Sequence, residues 1–288
     1  MAASATIPFR KMNGLGNDFV VLDARRNSIS LAPEDARRIS DRAKGPGCDQ
    51  VIVLEPSKKA DLFMRIFNAD GSEVEACGNA TRCIALLLAE ESGRPDVTVE
   101  TRACRLKAHV ESAESVVIDM GVPRFAWEDI PLAEPFADTT RIELQMGPID
   151  DPILHSPSVV NVGNPHAIFW VDDVEAYDLG RFGPLLENHP IFPERANISL
   201  AQVTSRNALT LRTWERGAGL TKACGTAACA AAIAAARNGL TDRQVTVTLP
   251  GGKLFIDWTA DGHILMRGPA ELEFEGTLPA ETLSRAPV

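Results

Sequence analysis

Apolar residues fall into short runs of strand character along the whole chain. FVVLD (19–23), QVIVLE (50–55), DLFMRIF (61–67), VTVET (97–101) and SVVIDM (115–120) occupy the first part. AIFWV (167–171), NISLAQV (197–203), LTLRTW (209–214), VTVTL (245–249) and KLFIDW (253–258) occupy the second. Their length, alternation and β-branched content predict strands. Two stretches break the pattern. ATRCIALLLAEES (80–92) and the alanine-rich run that ends at Arg237 read as long helices, stopped by Gly93 and by Asn238-Gly239. Each is expected to begin at or just after a cysteine, Cys77 or Cys224.

Those cysteines lie in nearly the same phrase, EACGNATRC (75–83) and KACGTAAC (222–229). Sliding Cys77 onto Cys224 also lays MRIFNADGSEVEACGNA (64–80) on LRTWERGAGLTKACGTA (211–227), Gly16-Asn17 on Gly163-Asn164, and Gln50 on Asn197. One further residue of slip lays VTVETRACRLKAHV on VTVTLPGGKLFIDW. The period far exceeds the roughly 20 to 50 residues of solenoid repeats and indicates one ancestral domain used twice. The expected fold class is α+β, with two pseudo-symmetric domains. Each is a mainly antiparallel sheet wrapped around a central helix, and the active site lies in the cleft between them. The expected domains are 1–120 and 156–268, joined by a linker at 121–155 that is rich in Pro and Asp. The strand-like segment at 269–288 is expected to cross back and complete the first domain.

Composition narrows the partners. The 288 residues suit two domains, and 45% hydrophobic with 24% charged residues is ordinary for a globular protein. A net charge of -10 without a dense Lys/Arg cluster argues against nucleic acid. No apolar stretch is suited to span a bilayer, and no secretory h-region appears, so a cytoplasmic location is expected. The six cysteines are then expected to be reduced, and none stands in a zinc-like quartet, so no metal is expected.

A cysteine at a helix start is a place where thiol pKa values fall. The first-turn N–H groups and the dipole also favour an anion, and a following glycine admits it closely. Cys48, Cys83, Cys104 and Cys229 have no counterpart cysteine at the repeat offset and read as structural. Cys77 and Cys224 would face one another if the halves pack with approximate two-fold symmetry. One thiolate and one thiol on opposite sides of a carbon can remove a proton and deliver another, which inverts a stereocentre. Backbone N–H groups at Gly78-Asn79 and Gly225-Thr226 can stabilise charge on a substrate carboxylate without metal or pyridoxal phosphate.

In order and spacing, KMNGLGNDFVVLD, NADGSEVEACGNATRC, GNPHAIFWVDD, GPLLENHPIFPERANIS, WERGAG and ACGTAACAAA resemble the diaminopimelate epimerase family along nearly the whole chain. The resemblance implies a cofactor-independent epimerase that interconverts LL- and meso-diaminopimelate in lysine and peptidoglycan-precursor biosynthesis. It makes Cys77 and Cys224 the acid/base pair, with Gly78-Asn79 and Gly225-Thr226 on the reacting α-carboxylate. Asn17, Gln50, Asn68, Asn164, Asn197 and Arg216 match substrate-binding positions, and their chemistry suits the distal amino-acid end. Glu215 and His166 match positions near the cysteines and are expected to accept a proton or the substrate ammonium. The small-molecule substrate is the expected partner, together with a second copy of the chain as a homodimer. Ala80, Ala227 and Leu220 depart from the commonest family pattern; the first two suit a helical first turn, and the third removes a polar contact.

Rival readings are a proline or hydroxyproline racemase, a thiol-disulfide redox protein, and a noncatalytic amino-acid binding module. The first would typically show CGH at the first cysteine, and the second a local CxxC pair.

Overall fold

Strand order and helix placement repeat from one part of the chain to the other. The computed structural model describes residues 6–26 and 29–284. They form two compact units, one running to Ile118 and resuming at Gly268, the other spanning Asp119–Arg267. The outer limits of the expected first domain, 1–5 and 285–288, lie outside the described residues.

The first unit opens with an antiparallel hairpin of β1 (Thr6–Gly14) and β2 (Asn17–Asp23). Its turn residues Leu15 and Gly16 have φ of 64° and 81°, the positive pair that a tight hairpin turn demands. The next strand, β3 (Gln50–Glu55), runs parallel to β2. A parallel neighbour requires a crossover, and α1 (Pro33–Ser40) lies within it. Antiparallel β4 (Leu62–Asn68) and the short β5 (Glu73–Val74) follow. A second crossover contains the long α2 (Gly78–Ser92) and leads to β6 (Asp96–Glu100), parallel to β4, then antiparallel β7 (Arg105–Ser112) and β8 (Ser115–Asp119). The C-terminal strand Glu271–Pro279 lies antiparallel on β1, and its Leu278 joins the core built from Phe9, Val20, Leu22, Ile39 and Val51.

The second unit repeats this order. After the small ribbon of β9 (Gln145–Met146) and β10 (Leu154–His155), β11 (Ser158–Asn161) pairs antiparallel with β12 (Pro165–Trp170). A crossover containing α3 (Leu179–Glu187) leads to β13 (Asn197–Ser205), parallel to β12. Then come β14 (Ala208–Glu215), β15 (Gly219–Thr221), α4 (Gly225–Arg237), β16 (Gln244–Leu249), β17 (Gly252–Trp258) and β18 (Ile264–Gly268). Here β14 and β16 are the parallel pair around the long helix. Register is repeated as well: Phe19 stands beside Gln50 in the first unit as His166 stands beside Asn197 in the second.

The two long helices begin and end at the expected signals. Cys77 and Cys224 are N-cap residues in extended conformation, and Gly93 closes α2 with φ 68°. Both helices are buried around most of their circumference, as residues apolar on nearly every face require. Residues 121–155, expected as a linker, instead supply Ile130, Leu132, Ile142, Leu144 and Leu154 to the buried core of the second unit. Their apolar side chains are spaced between prolines and aspartates, so no periodic run advertises them.

Candidate active site

In the first unit, β5 delivers Cys77 to the start of α2, where its carbonyl accepts from Thr81 N and Thr81 Oγ1, both at 2.9 Å. Asn79, one residue into the helix, is fixed by a neighbour that can only donate. The buried guanidinium of Arg82 reaches Asn79 Oδ1 at 3.0 Å and Pro269 O at 3.0 Å. That leaves Asn79 Nδ2 to donate to Asn17 Oδ1 at 3.4 Å, beside which Cys77 Sγ stands at 3.8 Å. Asn17 Nδ2 in turn donates to Asp49 Oδ2 at 2.9 Å. Carboxylates accept and guanidiniums donate, so the sense of both amides follows from Arg82 and Asp49.

Asp49 belongs to a wider ionic group. Arg42 forks onto both oxygens of Asp18 at 2.9 and 2.8 Å and also reaches Asp49 at 2.8 Å, while Lys11 approaches Asp18 at 2.5 Å. Burial by itself raises the Asp18 carboxyl, but the hydrogen bonds and charges of Arg42 and Lys11 outweigh it and hold the group well below the usual carboxylate range. Gln50 and Asn68, opposite one another on β3 and β4, form a second cluster. Gln50 Nε2 donates to Asn68 Oδ1 at 2.9 Å, and Asn68 Nδ2 to Ser72 Oγ at 3.1 Å. Gln50 Oε1 is buried and lacks a partner among the described residues.

In the second unit, Cys224 is buried at the start of α4, 3.5 Å from Thr226 Oγ1. Burial, and then the Glu215 carboxylate to which it is hydrogen-bonded, push the Cys224 thiol well above its ordinary value. A lowered pKa was the expectation for a helix-start cysteine; desolvation and an adjacent carboxylate override the dipole here. Glu215, at the end of β14, is itself raised by burial, against hydrogen bonds from Thr221 at 2.5 Å and from Cys224. The resting Cys224 is therefore a protonated thiol with an acceptor in place.

His166 departs from its expected role. It is wholly buried, and burial, with the Arg216 charge adding to it, lowers its imidazole to about 3. It is neutral at physiological pH and a poor acceptor of a proton. Its Nε2 lies 2.7 Å from Asn164 Oδ1, and Asn164 Nδ2 donates to Thr226 Oγ1 at 3.4 Å. Asn197 is also committed internally: Nδ2 donates to Pro165 O at 3.0 Å, and Oδ1 accepts from Arg216 N at 3.0 Å. The Arg216 side chain donates to Glu194 O at 2.9 Å.

Arg82 and Glu187 are among the buried charged residues that went unremarked in the sequence. Arg82 orients Asn79, as above. Glu187, 5% exposed, accepts from Trp214 Nε1 at 2.7 Å, Gly217 N at 2.9 Å and Arg195 Nη1 at 3.2 Å, bracketing Glu215 and Arg216. The only hint was a carboxylate closing the apolar helix run GPLLENHP. Cys48, Cys83 and Cys229 are buried, as a small hydrophobe would be, whereas Cys104 is exposed and does not fit that reading; none of the six cysteines forms a disulfide. Leu220 is exposed. Among the described residues no group of three or more His, Cys, Asp or Glu could hold a metal ion, and no helix is long and apolar enough to cross a membrane.

Comparison with known proteins bears on the same residues. The family model described as diaminopimelate epimerase matches residues 9–126 and 158–273, which include both cysteine phrases. A diaminopimelate epimerase of Rhodopseudomonas palustris (strain HaA2) is 58% identical over 272 residues, covering 93% of this chain and 92% of the relative. One from Brucella canis is 54% identical over 277 residues, covering 95% and 91%. Among solved structures, a hydroxyproline epimerase from Agrobacterium vitis superposes with a TM-score of 0.65 at 15% identity, covering 97% of this chain and 94% of that one. A phenazine biosynthesis protein from Bacillus anthracis gives 0.66 at 17% identity, covering 95% and 99%. These two likenesses concern the fold.

Proposed function

Because the chain belongs to the diaminopimelate epimerase family, we propose that it interconverts LL- and meso-diaminopimelate by two-base proton transfer at one α-carbon. It is an isomerase, and the reaction serves lysine and peptidoglycan-precursor biosynthesis. In this reading Cys77 and Cys224 are the catalytic pair. One thiolate takes the α-proton and becomes a thiol; the carbanion then takes a proton from the other thiol on its opposite face, leaving a thiolate there. Protons balance, and no redox change occurs.

The observation that carries the reading is the repetition of one device: in each unit a cysteine is the extended N-cap of the buried central helix. First-turn N–H groups have no intrahelical acceptor, so Gly78-Asn79 and Gly225-Thr226 are suited to hold the reacting carboxylate and stabilise charge that develops on it. Glu215 supports the exchange, since it accepts from the Cys224 thiol and is available to the substrate ammonium. Asn17, Gln50, Asn68, Asn164 and Arg216 are assigned to the distal zwitterion, and the unpartnered Gln50 Oε1 offers an ammonium acceptor. Asn197, with both ends of its amide engaged, contributes by fixing Arg216.

We place the enzyme in the cytoplasm, where six cysteines without a disulfide stay reduced, and assign it a homodimer on the strength of the family alone. The test is chiral chromatography of reduced protein incubated separately with LL-diaminopimelate, L-proline and trans-4-hydroxy-L-proline. Conversion of the first alone to its meso isomer is expected. Inversion of a proline substrate with none of diaminopimelate overturns the assignment.

A further inference from the structure

His166 and Asn164 carry an inference beyond these roles. Asn164 stands at the position of Asn17 in the duplicated phrase, yet the two amides are held by opposite chemistry. Asn17 gives its NH2 to the Asp49 carboxylate and turns its carbonyl toward Cys77 and Asn79. Asn164 meets a histidine nitrogen at its carbonyl and turns its NH2 to Thr226, whose hydroxyl lies 3.5 Å from Cys224 Sγ. The other nitrogen of His166, Nδ1, is buried without a hydrogen-bond partner among the described residues. A buried N–H without an acceptor is rarer in folded proteins than an unfilled lone pair. The single proton of the neutral ring therefore belongs on Nε2, where it has an acceptor at 2.7 Å.

We propose that His166 is a positioning residue: a neutral imidazole whose Nε2–H holds the Asn164 carbonyl, so that the Asn164 NH2 faces Thr226 and the helix start that bears Cys224. The strand register places it for this task, because β12 carries both Asn164's neighbour Pro165 and His166, and His166 sits beside Asn197 on β13. Arg216 is the charged group that acts on the ring, and its sign opposes protonation. The proton that His166 carries stays on the ring throughout the catalytic cycle.

The kinetic part of the test rests on the epimerase reading, whereas the spectroscopic part does not. Long-range 1H–15N correlation spectra of protein labelled with 15N-histidine, with the His166 signals identified by their loss in His166→Gln, report the tautomer directly. We expect the neutral Nε2–H form from pH 5.5 to 9 without titration. An imidazolium in that range, or a proton on Nδ1, overturns the proposal even if the protein turns over no diaminopimelate. In kinetics, His166→Gln keeps a donor near the Nε2 position and is expected to retain kcat and KM within about threefold. His166→Leu is expected to lower kcat/KM at least tenfold, with the pH profile of kcat unchanged in shape. Equal losses of a hundredfold or more in both folded variants, with one limb of the pH profile removed, would assign His166 to proton transfer instead.

Discussion

Replacing Glu187 by alanine should loosen the segment that carries Glu215 and Arg216. Its carboxylate satisfies the indole N–H of Trp214, the backbone N–H of Gly217 and one arm of Arg195. Arg195 is half exposed and regains water, so its loss counts for little. Gly217 is exposed, so its N–H also regains water, whereas the half-buried indole N–H of Trp214 left without an acceptor costs about 1–3 kcal/mol. Together with the small void left by the side chain, the loss is about 2–4 kcal/mol. For a unit of this size that corresponds to a fall in melting temperature of about 4–16 °C. Differential scanning calorimetry of wild type, Glu187→Ala and Glu187→Gln measures it, with Gln intermediate because it can satisfy one donor and confronts the other with its own NH2. Because Gly217 follows Arg216, KM for diaminopimelate should rise at least fivefold in the alanine variant at a temperature where it stays folded. A melting temperature within 2 °C of wild type, or an unchanged KM, refutes the reasoning.

A Cβ at Gly183 would stand 2.4 Å from Trp214 Cγ and 2.5 Å from Cδ2, so Gly183→Ala should destabilise by about 1–3 kcal/mol, read as a lower urea midpoint. Burial pushes the Cys83 thiol up to about 12. An unfolded thiol titrates near about 8.5, so the Cys83 contribution is complete below that pH and is lost as pH rises toward the folded value. Between pH 9 and 11, unfolding free energy should therefore fall with pH less steeply in Cys83→Ala than in wild type, by about 1.4 kcal/mol per pH unit, and equal slopes would exclude a buried, protonated Cys83. Asp49→Leu should raise KM at least fivefold by freeing the Asn17 amide to turn, while Asp49→Asn, which still offers an oxygen, should restore most of it; steady-state kinetics distinguishes the two.

The cysteines, their helices and most strands were legible because their signals are local. Gly93 and Asn238-Gly239 stop helices by themselves, and runs such as QVIVLE read as strands without knowledge of their neighbours. The duplication made the two helix starts legible as a pair. The short helices α1 and α3 were not: each answers to a parallel pairing, β2 with β3 or β12 with β13, and no residue of PEDARRIS or LGRFGPLLE states which strand comes next to which. Arg82 and Glu187 escaped for a related reason. Their partners include Pro269 O, Trp214 Nε1 and Gly217 N, remote in sequence, and a charged residue in a helix looks solvated until those partners are known. His166 shows the same limit from the other side: the family resemblance suggested an acceptor of a proton or of the substrate ammonium, and burial, with the Arg216 charge adding to it, lowers the imidazole instead.

Proton NMR of the reduced protein acting on LL-diaminopimelate in deuterated water tests the central claim most directly, run beside Cys77→Ala and Cys224→Ala. The two-base account predicts that each meso molecule formed carries solvent deuterium at the inverted α-carbon while the remaining LL substrate is still protiated early in the reaction, and that both variants, folded, fail to invert. Inversion with the original proton retained, or undiminished inversion in either variant, contradicts it.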